Sequence, residues 1–196
     1  MAAVHYFVTG RAFTARGGPP KISQVQHEQI ATLGRVATRH EDEPGPPPDF
    51  TVETWQIRDE SASGLRLARV DPAASSRLIL GQLLGIRLAD AKAFLLCTVR
   101  WLSVSAEFEL RAGVQILPGI PQGVAIRAGG ADEQYTPAFL LPALAALQAP
   151  ETLVLPAGWF KPKREIEVVT DRSGKLRLVA IIDRGADFEC VTFEAV

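Results

Sequence analysis

Along most of this chain apolar and polar residues change places every one or two positions, in runs of four to nine, and that texture predicts strands. From Phe50 onward the runs 51–58, 65–70, 83–88, 94–102, 107–112 and 124–127 all read as strands. Leu84, Ile86 and Leu88 alternate with Gly85 and Arg87, and Leu65 and Leu67 alternate with Arg66. Short strands at near-regular spacing, separated by glycine-rich turns, predict a closed or nearly closed antiparallel barrel. Ala128-Gly-Gly-Ala-Asp132 is the clearest internal boundary. Beyond it, 138–147 reads either as a short helix or as two strand pieces around Pro142. The runs 152–155, 165–169, 176–182 and 188–193 read as further strands, with Asp171-Arg-Ser-Gly174 as a hairpin turn.

The first fifty residues read differently. Residues 4–8 suit a short strand, and Arg16-Gly-Gly-Pro-Pro20 is a breaker. Ser23 and Gln26 have capping-box spacing, and Gly34 follows Leu33, so a helix is expected between them. Arg35 comes directly after that stop, on a hinge-like junction. Residues 41–49 (EDEPGPPPD) are acidic and proline-rich and predict a solvated loop.

Composition narrows the function classes. A net charge of −1 gives no reason to expect a binder of nucleic-acid polymers or of membrane surfaces, so an anion site must be local. No run approaches the roughly 20 apolar residues of a membrane span, and the N-terminal residues lack a signal-peptide pattern, so a cytoplasmic location is expected. Cys97 and Cys190 have neither metal nor scaffold spacing and are expected to be buried thiols. His5, His27 and His40 are scattered, so no metal site is expected. Ser61 has no base partner and no nucleophile elbow, and no paired acid and base is present, so the chain is not expected to be an enzyme.

Two short motifs carry chemistry. Arg35 and Arg39 lie four positions apart, and each offers a planar fork of donors that suits phosphate oxygens and a guanine O6/N7 edge. Twenty residues beyond Arg39, Asp59, Ser61 and Gly64 sit on an expected strand-to-turn junction. Asp59 can accept from the N1–H and N2–H donors of a guanine, Ser61 can donate or accept, and Gly64 allows a positive φ or a close backbone approach. Three or four charge-assisted bonds of ~1.5–3 kcal/mol each, less the cost of ordering the loop, suffice for micromolar affinity. Arg58, Arg66 and Arg100 can add positive potential nearby, and Trp101 can stack on a purine.

In this order and context the chain resembles the PilZ domain family of cyclic di-GMP receptors, whose motifs are RxxxR and [DN]xSxxG. The resemblance continues through Trp55-Gln-Ile-Arg-Asp-Glu-Ser61, Gly81-Gln-Leu-Leu-Gly-Ile-Arg87, Val99-Arg-Trp101 and Gly113-Val-Gln-Ile-Leu117, and covers residues 31–128. It implies a mainly-β fold: a six-stranded antiparallel PilZ-type barrel at 31–128, after an N-terminal strand and helix arm at 1–30. An all-β C-terminal region at 129–196 would follow. It further implies that cyclic di-GMP is the ligand, with no other cofactor. Arg35 and Arg39 would hold phosphates and guanines, and Asp59, Ser61 and Gly64 would form the opposing surface. Binding would then alter contacts with a downstream protein or another domain. The chain departs from the family pattern between the motifs, where His40-Glu-Asp-Glu-Pro-Gly-Pro-Pro-Pro48 is poor strand material. That departure supports the alternative expectation of a PilZ-like interaction module without useful affinity for the nucleotide.

Overall fold

The computed structural model describes residues 52–71, 76–129, 134–170 and 173–196. The expected strand at 4–8, the helix between Ser23 and Leu33, Arg35, Arg39 and the acidic loop at 41–49 lie outside the described residues. Within them the chain is mainly β. Five strands form an open sheet: β1 (Trp55–Ser61), β2 (Gly64–Arg69), β3 (Leu83–Ile86), β4 (Leu95–Val104) and β5 (Leu110–Ile116), in the order β1-β2-β5-β4-β3. Six more close into a barrel: β6 (Gln122–Arg127), β7 (Thr136–Leu141), β8 (Thr152–Pro156), β9 (Glu165–Val169), β10 (Ser173–Arg184) and β11 (Phe188–Ala195), in the order β10-β11-β8-β7-β6-β9. Neighbours are antiparallel throughout.

Alternation decides what each face of the sheet does. Residues paired across strands point to the same side. Leu65 faces Val114, Val114 faces Val99 and Leu84 faces Cys97, and these side chains form one apolar cluster with Leu67. Trp55 of β1 and Ile86 of β3, from the two edges of the sheet, both pack against that cluster. The opposite face carries Gly64, Arg66, Gly113, Gln115 and Leu96. Two bulges interrupt the ladders, between Ile57 and Asp59 on β1 and between Val99 and Trp101 on β4. A bulge re-aims the side chains around it, and both lie beside the candidate site.

The barrel is filled by Val124, Ile126, Ala138, Leu153, Leu155, Ile166, Val168, Leu178 and Val191. Strands β7, β8 and β11 are apolar on their outer face as well. Phe139, Leu141, Val154, Phe188 and Cys190 pack against Leu83, Leu96 and Leu117 from the sheet side of the chain. Burial on both faces explains the unbroken apolar runs Ala138-Phe-Leu-Leu141 and Leu153-Val-Leu155. Polar contacts reinforce the junction: the Ala186 amide donates to the Gly81 carbonyl at 2.7 Å, and the Leu83 amide donates to Asp187 Oδ1 at 2.8 Å.

A closed six-stranded antiparallel barrel is present, but at Gln122–Ala195 and not at 31–128, where the resemblance put it; the described strands there, β1–β5, form the open sheet instead. Residues 124–127, expected to end the preceding unit, instead hydrogen-bond to β7 and β9. The stronger breaker is Pro118-Gly-Ile-Pro121, where Gly119 takes φ 104°, while β6 and β7 pair directly as a hairpin. The ambiguous stretch resolves as β7 followed by a 3-10 turn at Ala145–Leu147. The fifth strand begins at Leu110 because Ser105 closes a turn: its amide bonds the Glu109 carbonyl, and its hydroxyl accepts from the Glu109 amide. No helix of the described residues is long and apolar enough to cross a membrane.

Candidate functional site

Asp59, Ser61 and Gly64 are brought together by one hairpin. β1 runs on through Ser61, and Ala62 and Ser63 make the turn, so that Ser61 pairs with Gly64 and Asp59 pairs with Arg66. The Ser61 hydroxyl donates to the Gly64 carbonyl at 3.2 Å. Asp59 Oδ1 accepts from the Glu60 amide at 3.0 Å, and Asp59 Oδ2 lies 3.4 Å from Arg66 Nη2, with both side chains more than half exposed. Gly64 does not adopt a positive φ. It serves the second role expected of it, close approach, but towards a neighbouring strand: an added Cβ would stand 2.7 Å from the Val114 carbonyl oxygen.

Across the sheet this hairpin opens onto a shallow concavity of about 320 Å³ lined by Asp59, Glu60, Ser61, Gly64, Arg66, Arg100 and Trp101 over the β5 backbone at Gly113. Its floor follows the pairing Asp59–Arg66–Gly113–Trp101 through four strands. Gly113 is the open position of that row, and the Trp101 indole lies over it: a Cβ there would overlap the indole nitrogen. Trp101 stays 40% exposed and offers an apolar surface with one N–H donor. Arg100, the extra residue at the β4 bulge, donates from Nε to Gln115 Oε1 at 2.7 Å. Its Nη2 pairs with Asp183 Oδ2 on β10 at 2.7 Å.

The lining thus holds two carboxylates and two guanidiniums beside an indole face. Such a surface can stack a planar base and hydrogen-bond its edge. It has no surplus of positive charge for two phosphates, which would have to come from elsewhere; Arg35 and Arg39 lie outside the described residues. Arg66, Arg100 and Trp101 join the site as the sequence suggested. Arg58 does not: it turns to a second concavity of about 460 Å³ with Arg69, Glu107, Phe108 and Arg111. There Arg58 and Arg111 both hydrogen-bond Glu109, whose carboxyl is held below the usual range by those bonds, that from Arg111 first. Gly113 and Gln115 entered the sequence reading only as part of a family-like strand, and Asp183 not at all; none was read as a site residue. Long-range pairing places them here.

The family model of the FimW C-terminal beta-barrel domain matches residues 123–196, the stretch that closes into the barrel. That part of the chain is similar to this domain, whereas the PilZ family gives no match in the same comparison. No curated protein and no solved structure matches the chain.

Proposed function

We propose that this chain is a cyclic di-GMP-binding receptor of PilZ type that changes inter-domain or partner contacts when the nucleotide is bound. The observation that carries the reading is the gathering of Asp59, Ser61 and Gly64 with Arg66, Arg100 and Trp101 around one open concavity. Asp59 would accept from the guanine N1–H and N2–H donors, Trp101 would offer a stacking face, and Arg35 and Arg39 would supply the phosphate-binding cations. The concavity borders the junction with the barrel, so occupancy can be felt there through Arg100. The ligand would be held non-covalently, with no bond made or broken.

The second reading, an interaction module without useful nucleotide affinity, is favoured by one specific feature. Asp59 and Ser61 already spend hydrogen bonds on their own hairpin, to the Glu60 amide and the Gly64 carbonyl. Isothermal calorimetry separates the two. A receptor shows saturable binding of cyclic di-GMP that Asp59→Asn weakens about tenfold or more, the loss of one charge-assisted bond pair. Absence of heat at millimolar nucleotide supports the module instead.

A further inference from the structure

The geometry points to Arg100 as a further ligand-binding residue of the concavity, held in reserve by Asp183 so that ligand and barrel compete for one guanidinium. This rests on the reading of the concavity as an anionic-nucleotide site and assigns that site a regulator. Three observations carry it. First, the β4 bulge makes Arg100 the unpaired residue of its ladder, and the side chain lines the concavity beside Trp101 and Ser61. Second, its donors are shared between the two units, with Gln115 on the sheet and Asp183 on the barrel both at 2.7 Å. Asp183 stands at a bulge of its own, between Ile181 and Asp183 on β10. Third, the side chains of the pair remain 38% and 25% exposed, so the contact can be remade without unpacking the junction.

A phosphodiester and a carboxylate present the same pair of acceptor oxygens to a guanidinium. Within the concavity Asp59 and Glu60 offset Arg66 and Arg100, and Asp183 draws further on Arg100. A dianionic cyclic dinucleotide that takes the Nη2 edge of that cation displaces Asp183. Because coupling is reciprocal, the ligand then loosens the Arg100–Asp183 contact by the same factor by which that contact weakens the ligand. Asp183 is a positioning residue in this scheme, and Arg100 touches the ligand.

The test is calorimetric titration of the full chain with cyclic di-GMP in wild type and four variants. Removing the competitor by Asp183→Asn should tighten binding about two- to fivefold, the range expected for a partly exposed ion pair. Arg100→Gln should weaken it about tenfold or more. Arg177→Gln, which breaks two barrel ion pairs, with Glu165 and with Glu194, outside the concavity, should leave it unchanged. A merely structural role for Asp183 would lower the affinity or leave it alone, so a gain supports the proposal. Unchanged or weaker binding by Asp183→Asn, repeated with Asp183→Ser, overturns the competition while leaving the nucleotide reading intact. Unchanged binding by Arg100→Gln overturns the assignment of Arg100. No binding by wild type or by Asp183→Asn overturns the nucleotide reading and this inference with it.

Discussion

Replacing Gly64 by alanine tests whether the glycine of the Asp-x-Ser-x-x-Gly motif is first a packing requirement of the sheet. The added Cβ would lie 2.7 Å from the Val114 carbonyl oxygen, 0.7 Å inside the 3.4 Å at which ordinary contact begins (3.4 − 2.7). The obstacle is backbone, and it belongs to the β2–β5 ladder in which Leu65 pairs with Val114 and Gly64 with Gln115. No rotamer can relieve it, so the two strands must part locally and stretch their hydrogen bonds. Overpacking of this kind costs ~1–3 kcal/mol, offset by the ~0.5–1 kcal/mol that alanine gains over glycine in a strand. The net loss, ~0–2.5 kcal/mol and centred near 1 kcal/mol, lowers the Tm of a chain this long by ~2–4 °C at the centre of that range. Gly174 on β10 is the control, because a Cβ there meets nothing within 4 Å. Thermal unfolding followed by circular dichroism should show Gly64→Ala melting below wild type, with Gly174→Ala at or above it. Equal melting temperatures for the two variants would refute the steric reasoning.

Phe188 is fully buried between sheet and barrel, and Phe188→Ala should cost ~3–5 kcal/mol in urea unfolding; a loss below 1 kcal/mol would show that the junction is not packed as described. Thr98 is also fully buried, and its Oγ1 meets no hydrogen-bond partner among the described residues, so Thr98→Val should raise stability by ~1 kcal/mol or more, and a fall would mean that the hydroxyl is satisfied. Burial pushes the Cys97 thiol up from 9.0 to about 12. The sign follows from linkage: the stability it contributes is fully present below pH 9 and is lost as pH rises towards 12, by at most ~1.4 kcal/mol per pH unit. Comparing wild type with Cys97→Ala in urea from pH 8 to 11 should show the steeper decline in wild type, and identical slopes would contradict it.

Strand positions were legible where one face is solvated, because period-two alternation then survives in the sequence; Leu65-Arg-Leu67, with Arg66 exposed between two buried leucines, is an example. Where β7 and β8 are buried on both faces, alternation vanishes, and Ala138–Leu147 stayed ambiguous between helix and strand. Which strands close the barrel was not legible. Closure depends on β6 pairing with β9, some forty residues away, a contact without local signal. At the candidate site the hairpin residues were readable because turn chemistry is local. Asp183 was not, since it arrives from another sheet, and neither was the use of Gly64 against Val114, since a glycine's neighbours are set by register. The likeness of residues 123–196 to the FimW C-terminal barrel domain covers the half of the fold that the motifs do not touch. The proposed nucleotide site and the barrel meet at the Arg100–Asp183 contact.

The most direct test of the receptor proposal is calorimetric titration of cyclic di-GMP into wild type and into the Arg35→Ala, Arg39→Ala double variant. The account predicts saturable, micromolar binding by wild type and a loss of about tenfold or more in the double variant, while the melting temperature without ligand stays the same. No heat and no ligand-induced rise in Tm for wild type at excess nucleotide would contradict it.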